Sequence, residues 1–297
     1  MITDFEYTPD ENGLFPATTA DNPEMNQYWI RDNYWIWRSG FYTEEIEQAF
    51  RKIVNKHEDK IKYHIENHPP EETWQHIHVK YDENLEEVTG NWAHDQLDTI
   101  GYLMDVLGHS REGHLVKHYF DNVGIFPGHG PWESGKTVKY HPYCIMKMRE
   151  SLRKWYGQDK PVTTYLYRLA DRKFIKYRDD LELLMMQTVN SENPILWQDP
   201  TAELTTQFGV KRFEGDEWNG EEHAAKTEPA WPLGLAFKYV VTEDEKYMRQ
   251  LDKIHKRYGE IPELINPKTT APGINSPLIW AEAMYHGLKE NLFKKDL

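Results

Sequence analysis

Cysteine is almost absent from the 297-residue sequence, which contains only Cys144. A single cysteine cannot form an internal disulfide, and this excludes a disulfide-stapled secreted scaffold. The first residues, 1–13, also lack the basic start and following apolar run that a signal peptide needs. Together these absences predict a cytoplasmic protein.

Long apolar runs and excess positive charge are missing as well. The stretches at 100–108 and 232–241 fall well short of the about 20 apolar residues that span a bilayer. Lys and Arg number 35 against 49 Asp and Glu, which gives a formal net charge of −14. No basic stripe can replace the counterions of a phosphate backbone. We therefore predict no membrane segment and no nucleic-acid partner, and neutral ligands remain open.

Alternating strand patterns are scarce, whereas apolar residues at helical spacing recur along the chain. The spacing predicts helices over 46–54, 97–104, 115–123, 146–155, 165–169, 181–186, 235–240, 248–254 and 278–288. Thr43 and Thr242 precede acidic residues and are predicted N-caps. No Ser/Gly-rich linker or short repeat divides the sequence. We predict one all-α domain, residues 1–297, of about ten helices.

Aromatic residues are plentiful, with 11 Trp and 18 Tyr. A large core uses many of them, but several stand in turns rich in Gly, Pro and Asp. Five such segments also carry carboxylate or amide groups: YWIRD at 28–32, NWAHDQLD at 91–98, PWESG at 131–135, RFEGDEWNG at 212–220 and GEIPEL at 259–264. Singly, each has an ordinary explanation, such as a helix N-cap at Asp95. Their order and spacing are the stronger signal.

In that order and spacing, the segments resemble the glucoamylase family, glycoside hydrolase family 15. Its relatives include glucodextranases, trehalases and the N-terminal domain of the phosphorylase kinase α-subunit. The resemblance extends over residues 28–288. It implies an (α/α)6 barrel whose inter-helix loops converge on one end, so that functional residues are spread along the whole chain.

The resemblance also assigns a catalytic pair. Glu133, which follows Trp132, matches the family's general acid, although Ser134 departs from the doubled acid of glucoamylases. Glu263 matches the general base, and Trp280 follows it at the family's separation of seventeen positions. In inverting hydrolysis the acid protonates the glycosidic oxygen and the base activates water, with the carboxyls about 6.5–9.5 Å apart. We expect Trp132 to keep Glu133 protonated and a wetter site to leave Glu263 ionised.

The sugar-binding residues follow from the same resemblance. It assigns the terminal glucose to Trp29, Arg31 and Asp32, and the same pocket to Trp92, Gln96 and Asp98. Arg212 would contact this sugar with Asp216 in support, and Trp231 matches a later Trp-Pro pair of the family. The implied activity is exo-acting release of β-glucose from a small α-glucoside or oligosaccharide, without a cofactor. A starch-binding β-rich region is not expected, which disfavours insoluble polymers.

Three alternatives stand beside this interpretation. The first is a catalytically silent sugar-binding module like the phosphorylase kinase domain. The second is a metalloenzyme, suggested by His76-x-His78 and by His114 and His118 at i,i+4 spacing. No acidic residue or third histidine completes such a set, so no metal is predicted. The third is a nucleophilic enzyme, but no Gly-x-Ser-x-Gly elbow occurs and Cys144 stands in a helix-like stretch, where packing explains it. The oligomeric state is not indicated.

Overall fold

The structure is a computed structural model. It describes residues 4–23, 25–66, 68–88, 95–126, 128–130, 141–158, 180–189, 199, 201–216 and 228–294. These residues contain ten α-helices: α1 Ile30–Arg38, α2 Thr43–Lys56, α3 Glu58–Ile65, α4 Leu97–Leu107, α5 Arg111–Val123, α6 Pro142–Tyr156, α7 Asp180–Gln187, α8 Leu233–Thr242, α9 Glu245–Tyr258 and α10 Ile279–Lys289.

Extended structure is limited to short pairs of strands in the described part of the chain. β1 (Tyr28–Trp29) pairs antiparallel with β2 (Lys80–Tyr81), and β3 (Thr205–Thr206) pairs antiparallel with β4 (Gly209–Val210). Each strand has two residues, so neither pair forms a layer of the fold. The predicted all-α class is confirmed.

Six of the helices form a closed ring. α1 packs against α4, α4 against α6, α6 against α7, α7 against α8, α8 against α10, and α10 returns to α1. The other helices lie outside this ring: α2 contacts α1 and α4, α5 contacts α3 and α4, and α9 contacts α8 and α10. An inner ring of six helices with outer helices between successive members is the arrangement of an (α/α)6 barrel, as predicted.

Burial separates the two layers. Every residue of α4 is buried, as are residues 279–288 of α10, because ring helices have neighbours on all sides. The outer helix α9 buries one face, made of Tyr247, Met248, Leu251 and Ile254, and exposes charged residues on the other. A helix that is apolar all round is buried, whereas a one-sided apolar stripe marks a surface helix. The burial pattern thus distinguishes α4 and α10 of the ring from the outer helix α9.

Most predicted helices are present. Those predicted over 46–54, 97–104, 115–123, 146–155, 181–186, 235–240 and 248–254 lie within α2, α4, α5, α6, α7, α8 and α9, and α10 begins one residue later than predicted. The helix predicted over 165–169 lies outside the described residues. α1 and α3 were not predicted. α3 buries only Ile61 and His64 and so shows little apolar periodicity.

Both predicted threonine caps are wrong. α2 begins at Thr43 itself, after Tyr42 in the left-handed region at φ 47°, and no side chain caps it. Thr242 ends α8, and α9 is capped instead by Asp244, whose carboxylate accepts a 3.0 Å hydrogen bond from the Lys246 N–H. In the described residues, no helix is long and apolar enough to cross a membrane.

Candidate active site

Four helices of the inner ring begin beside predicted sugar-binding residues. Trp29 is the N-cap of α1, and Arg31 and Asp32 follow in its first turn. Gln96 is the N-cap of α4, with Asp98 in the first turn. Trp280 lies in the first turn of α10, and Trp231 precedes α8 by two residues. The sequence segments are far apart, but each is positioned by the start of a ring helix.

Arg31 joins the first and last ring helices. Its Nε donates a 3.1 Å hydrogen bond to Oδ1 of Asp32, and its side chain is only 11% exposed. The guanidinium carbon lies 5.3 Å from the Trp29 ring centroid and 5.8 Å from that of Trp280. A planar guanidinium stacks well against aromatic faces. Arg31 therefore brings three predicted site residues into one group.

Arg212 forms a second buried group. Its Nε and Nη2 each donate a 2.7 Å hydrogen bond to the two carboxylate oxygens of Asp216. This bidentate pair is buried, and the guanidinium carbon lies 5.0 Å from the Trp231 ring centroid. The Arg212 carbonyl accepts a 3.1 Å hydrogen bond from Leu181 N–H in the first turn of α7. The predicted support of Arg212 by Asp216 agrees with this geometry.

The charges of both groups act on the carboxyl group of Glu263. Its side chain is buried, and the burial raises its pKa to about 7. A hydrogen bond from Asn275 and the charges of Arg212 and Arg31 lower the pKa, whereas Asp32 raises it. The wetter environment expected for Glu263 is thus wrong, because the packing of distant segments around residue 263 removes its carboxyl group from water.

The segment around Glu263 is fixed on both sides. Upstream, the Ile261 N–H donates to Oε1 of Glu282 in α10. The Ile261 carbonyl accepts a 3.0 Å hydrogen bond from the Leu278 N–H. Downstream, Ile265 and Ala230 exchange two backbone hydrogen bonds of 2.8 and 2.9 Å. The carboxyl group is consequently carried by a short, doubly anchored segment rather than by a loose loop.

Two further carboxyl groups are buried in the first turns of α1 and α4. Burial raises the pKa of Asp32 and of Asp98, and the charge of Arg31 opposes the rise for both. Helix N-termini carry a partial positive charge, which favours carboxylates in the first turn. Gln96, at the cap position of α4, is also buried. The arrangement offers buried hydrogen-bonding groups beside aromatic faces, a combination suited to sugar hydroxyls and rings.

Glu133, Trp132 and Trp92 lie outside the described residues, as does Ser134. On the N-terminal side of residues 131–140, His129 is held near the start of α4. The His129 N–H donates to the Asp95 carbonyl at 3.0 Å, and Nδ1 of His129 lies 2.9 Å from Oδ1 of Asp95. Asp95 therefore binds His129 and does not cap α4, contrary to the capping interpretation.

On the other side of that segment, His141 and Glu182 form a pair that was not predicted. Nδ1 of His141 lies 3.4 Å from Oε2 of Glu182. Burial lowers the pKa of His141, but Glu182 and Asp98 outweigh it, so the pKa lies above its usual value. The pair was missed because 41 residues separate its members. Asn275 was missed for a similar reason, since its contact with Glu263 depends on the path of the loop between them.

The histidines considered as metal ligands have other contacts. The His76 ring stacks on Phe126 at 3.8 Å between centroids, and its Nδ1 lies 3.0 Å from the Tyr119 hydroxyl. Nε2 of His78 lies 2.9 Å from the Trp74 carbonyl oxygen. His114 and His118 are exposed. In the described part of the chain, none of these histidines belongs to a group of three that could hold a metal ion. Cys144 is buried in α6, as predicted.

No family model and no curated protein sequence matches the chain. Solved structures do match. A wild-type glycosidase is 15% identical with a TM-score of 0.69, over 96% of this chain and 93% of the other. The glucoamylase of Hormoconis resinae is 12% identical with a TM-score of 0.61, over 96% and 69%. A bacterial glucoamylase complexed with acarbose is 15% identical with a TM-score of 0.63, over 95% and 52%.

The chain has the fold of the glucoamylases. The glucoamylase fold is an (α/α)6 barrel, in agreement with the closed ring of six helices, and the predicted resemblance is confirmed at the level of structure. One fold can host many activities. The chemistry of this glucoamylase fold must therefore be inferred from the residues at the ends of its ring helices.

Proposed function

We propose that the protein is a glycoside hydrolase acting on the terminal glucose unit of a small α-glucoside or oligosaccharide. The observation that carries the proposal is the buried Glu263, with a pKa of about 7, in the electrostatic reach of Arg31 and Arg212. The matched structures add support. A glutamate-to-alanine variant of the glycosidase was solved with glucose, and the bacterial glucoamylase was solved with acarbose.

Glu263 is proposed as the general base. A base is most effective when its pKa lies near the working pH, because it is then ionised and still a strong proton acceptor. Asn275 donates to Oε2 of Glu263 and so fixes the orientation of the carboxylate. The other oxygen, Oε1, would accept a proton from water as that water attacks the anomeric carbon. The buried setting strengthens the electrostatic interaction with the developing positive charge on the sugar.

Glu133 is proposed as the general acid because of the resemblance and because it lies between His129 and His141 in the sequence. In an inverting enzyme it would lie about 6.5–9.5 Å from Glu263, on the other face of the sugar ring. It would protonate the glycosidic oxygen as the bond to the leaving group breaks. Water would add from the opposite side, so that an α-glucoside yields β-glucose.

The terminal sugar would be bound by the groups around Arg31 and Arg212. Their ion pairs with Asp32 and Asp216 fix the guanidinium planes before a sugar arrives, which reduces the entropy lost on binding. Trp29, Trp92, Trp132, Trp231 and Trp280 would supply aromatic faces, and Gln96 and Asp98 would complete the hydrogen bonding. A site that hydrogen-bonds a sugar hydroxyl rejects analogues that lack it, because its own buried groups would be left unpaired.

Several further predictions accompany this proposal. Residues 1–297 are proposed as one catalytic domain, the ligand as a small carbohydrate, and the location as cytoplasmic. Neither nucleic acid nor a cofactor is required by the chemistry. The proposed mechanism uses carboxyl groups alone, so it needs no metal ion in the sugar site.

Incubation of the purified protein with maltose, isomaltose, trehalose and aryl α-glucosides tests the function. NMR of released glucose before mutarotation gives its anomeric form. With an aryl α-glucoside, which releases only the glucose from the non-reducing end, initial β-glucose supports the inverting pair and initial α-glucose contradicts it. Glu263→Gln should abolish turnover, whereas Glu260→Gln, in the same segment, should retain it. Sugar binding without turnover in the wild type would favour the sugar-binding module instead.

A further inference from the structure

A second cluster of chemically active side chains lies where α9 packs against α10. It consists of His255 in the last turn of α9 and of Glu282 and His286 in α10. One nitrogen or oxygen atom from each residue lies within 4.8 Å of the others. Glu282 and His286 are four residues apart, so that they share one face of α10. We call these three residues the His–Glu–His cluster.

The distances in the cluster are close to those of a metal site. Nε2 of His286 lies 3.4 Å from Oε2 of Glu282, and Nε2 of His255 lies 3.8 Å from the same oxygen. Tetrahedral zinc has bonds of about 2.0–2.2 Å to nitrogen and oxygen, which places neighbouring ligand atoms about 3.3 Å apart. Both separations lie within about 0.5 Å of this value.

An independent observation points to a cation at this place. Glu282 is 1% exposed, and its Oε2 accepts no hydrogen bond from any described residue. Its Oε1 is already engaged by the Ile261 N–H. A buried carboxylate oxygen whose nearest donors are two imidazole nitrogens at 3.4 and 3.8 Å, without a formed hydrogen bond, is costly, and a bound cation removes that cost. His255 is 31% exposed, which leaves a path for an ion and a position for a water ligand.

We propose that the His–Glu–His cluster binds one divalent transition-metal ion of the zinc type. Two imidazoles and one carboxylate suit zinc and its neighbours, whereas calcium and magnesium prefer oxygen ligands alone. The ion has no part in hydrolysis. It stabilises Glu282, whose Oε1 holds the backbone of Ile261, two residues before Glu263. The ion thereby clamps the segment that carries the proposed base.

Zinc binding to the full chain, prepared without an affinity tag and freed of metal with EDTA, tests the proposal. Isothermal titration with ZnCl2 should show one ion bound per chain, and CaCl2 or MgCl2 should give no heat of binding. Zinc should also raise the thermal unfolding midpoint. Because the readout is metal binding, its failure is distinguishable from a failure of the proposed hydrolase activity.

Variants locate the ion. His255→Ala and Glu282→Gln should each weaken zinc binding by at least about 100-fold, since even outer-shell partners contribute 10–100-fold. Glu282→Gln retains an oxygen for the Ile261 N–H, so its unfolding in EDTA should stay close to wild type. His118→Ala, a change of an exposed histidine, should bind zinc normally. The proposal is overturned if the wild type binds no zinc, or if both cluster variants bind it like the wild type; the cluster would then be only a His–Glu ion pair.

Discussion

The side-chain amide of Asn275 donates a 2.6 Å hydrogen bond to Oε2 of Glu263, while its carbonyl oxygen accepts one of 2.7 Å from Nδ2 of Asn22. The contact with Asn22 fixes which end of the amide faces the carboxyl group. A donor aimed at a carboxylate favours its ionised form. Asn275 therefore opposes the effect of burial and keeps the pKa of Glu263 near 7 instead of higher.

Asn275→Ala should raise the pKa that governs the acidic limb of kcat/KM. A hydrogen bond to a charged group contributes about 1.5–3 kcal/mol, and one pKa unit corresponds to about 1.4 kcal/mol. The limb should move upward by about one to two units. A pH profile of kcat/KM measures it. Asn22→Ala, which keeps the donor but frees the amide, should give a smaller shift, and an unchanged limb in Asn275→Ala would contradict the assignment.

Glu263→Gln should stabilise the folded protein at pH 8. Because the folded-state pKa of about 7 lies above the ordinary 4.5, the folded state holds its proton longer than the unfolded state. Wild-type stability therefore falls as the pH rises from 4.5 to 7. Above pH 7 the wild type should be less stable than Glu263→Gln by about 3 kcal/mol. Below pH 4.5 this difference in stability should disappear.

Urea unfolding of wild type and Glu263→Gln at pH 4 and pH 8 measures this difference. Glu260→Gln serves as the control, because its carboxyl group lies in the same segment and bonds to the Ser276 hydroxyl. Equal stability of wild type and Glu263→Gln at pH 8 would mean that Glu263 is not buried at a cost in solution.

Arg212→Ala should destabilise the protein by about 3–5 kcal/mol, since it leaves the buried Asp216 carboxylate without its partner. The double variant Arg212→Ala/Asp216→Ala should lose less than the single one. Glu47→Ala, which removes the surface ion pair with Arg51, should change the stability by less than about 1 kcal/mol. Urea denaturation of Arg212→Ala, Asp216→Ala, the double variant and Glu47→Ala, each compared with the wild type, measures these losses. Additive losses for Arg212 and Asp216 would show that the pair is not coupled.

Gly287→Ala should destabilise the contact that closes the ring. In most helices alanine is favoured over glycine by about 1 kcal/mol. In α10, however, an added Cβ would lie 2.5 Å from the backbone oxygen of Ser39, which directly follows α1. The helices would have to move apart. Thermal unfolding should show a lower midpoint for Gly287→Ala, and a higher one would contradict the close packing of α1 on α10.

The outer helices α2 and α9 were predicted directly from the spacing of their apolar residues. α2 and α9 each bury one face, so that Ile46, Phe50 and Ile53, or Met248, Leu251 and Ile254, recur at helical spacing. α1 was not among the helices predicted from apolar spacing, because it is buried on nearly all sides although it carries Arg31, Asp32 and Asn33. The caps failed because a threonine before acidic residues can equally open a helix, as Thr43 does.

The sequence indicated which residues to consider for the candidate site, but not how buried each of them is or which groups surround it. The described residues of the predicted set lie at the starts of α1, α4, α8 and α10, or in the segments of Arg212 and Glu263, and their roles stay predictions. The burial of Glu263 could not be foreseen, because Asn275 and both arginines approach from other segments. The His–Glu–His cluster was hidden for the same reason. Glu282 and His286 show a visible i,i+4 spacing, but His255 lies on another helix.

The contact between α1 and α10 has a consequence for synthesis of the chain. The first ring helix finds its neighbour on one side only after residues 279–289, about 250 positions later, have left the ribosome. Until then α1 exposes an apolar flank, and Arg31 lacks the Trp280 face that it meets in the finished barrel. Contacts between distant parts of a chain form slowly and leave apolar surface open to aggregation in the meantime. Folding of the barrel in the cell should therefore be completed only once residues 279–289 are available, and until then the nascent barrel should be open to binding by chaperones.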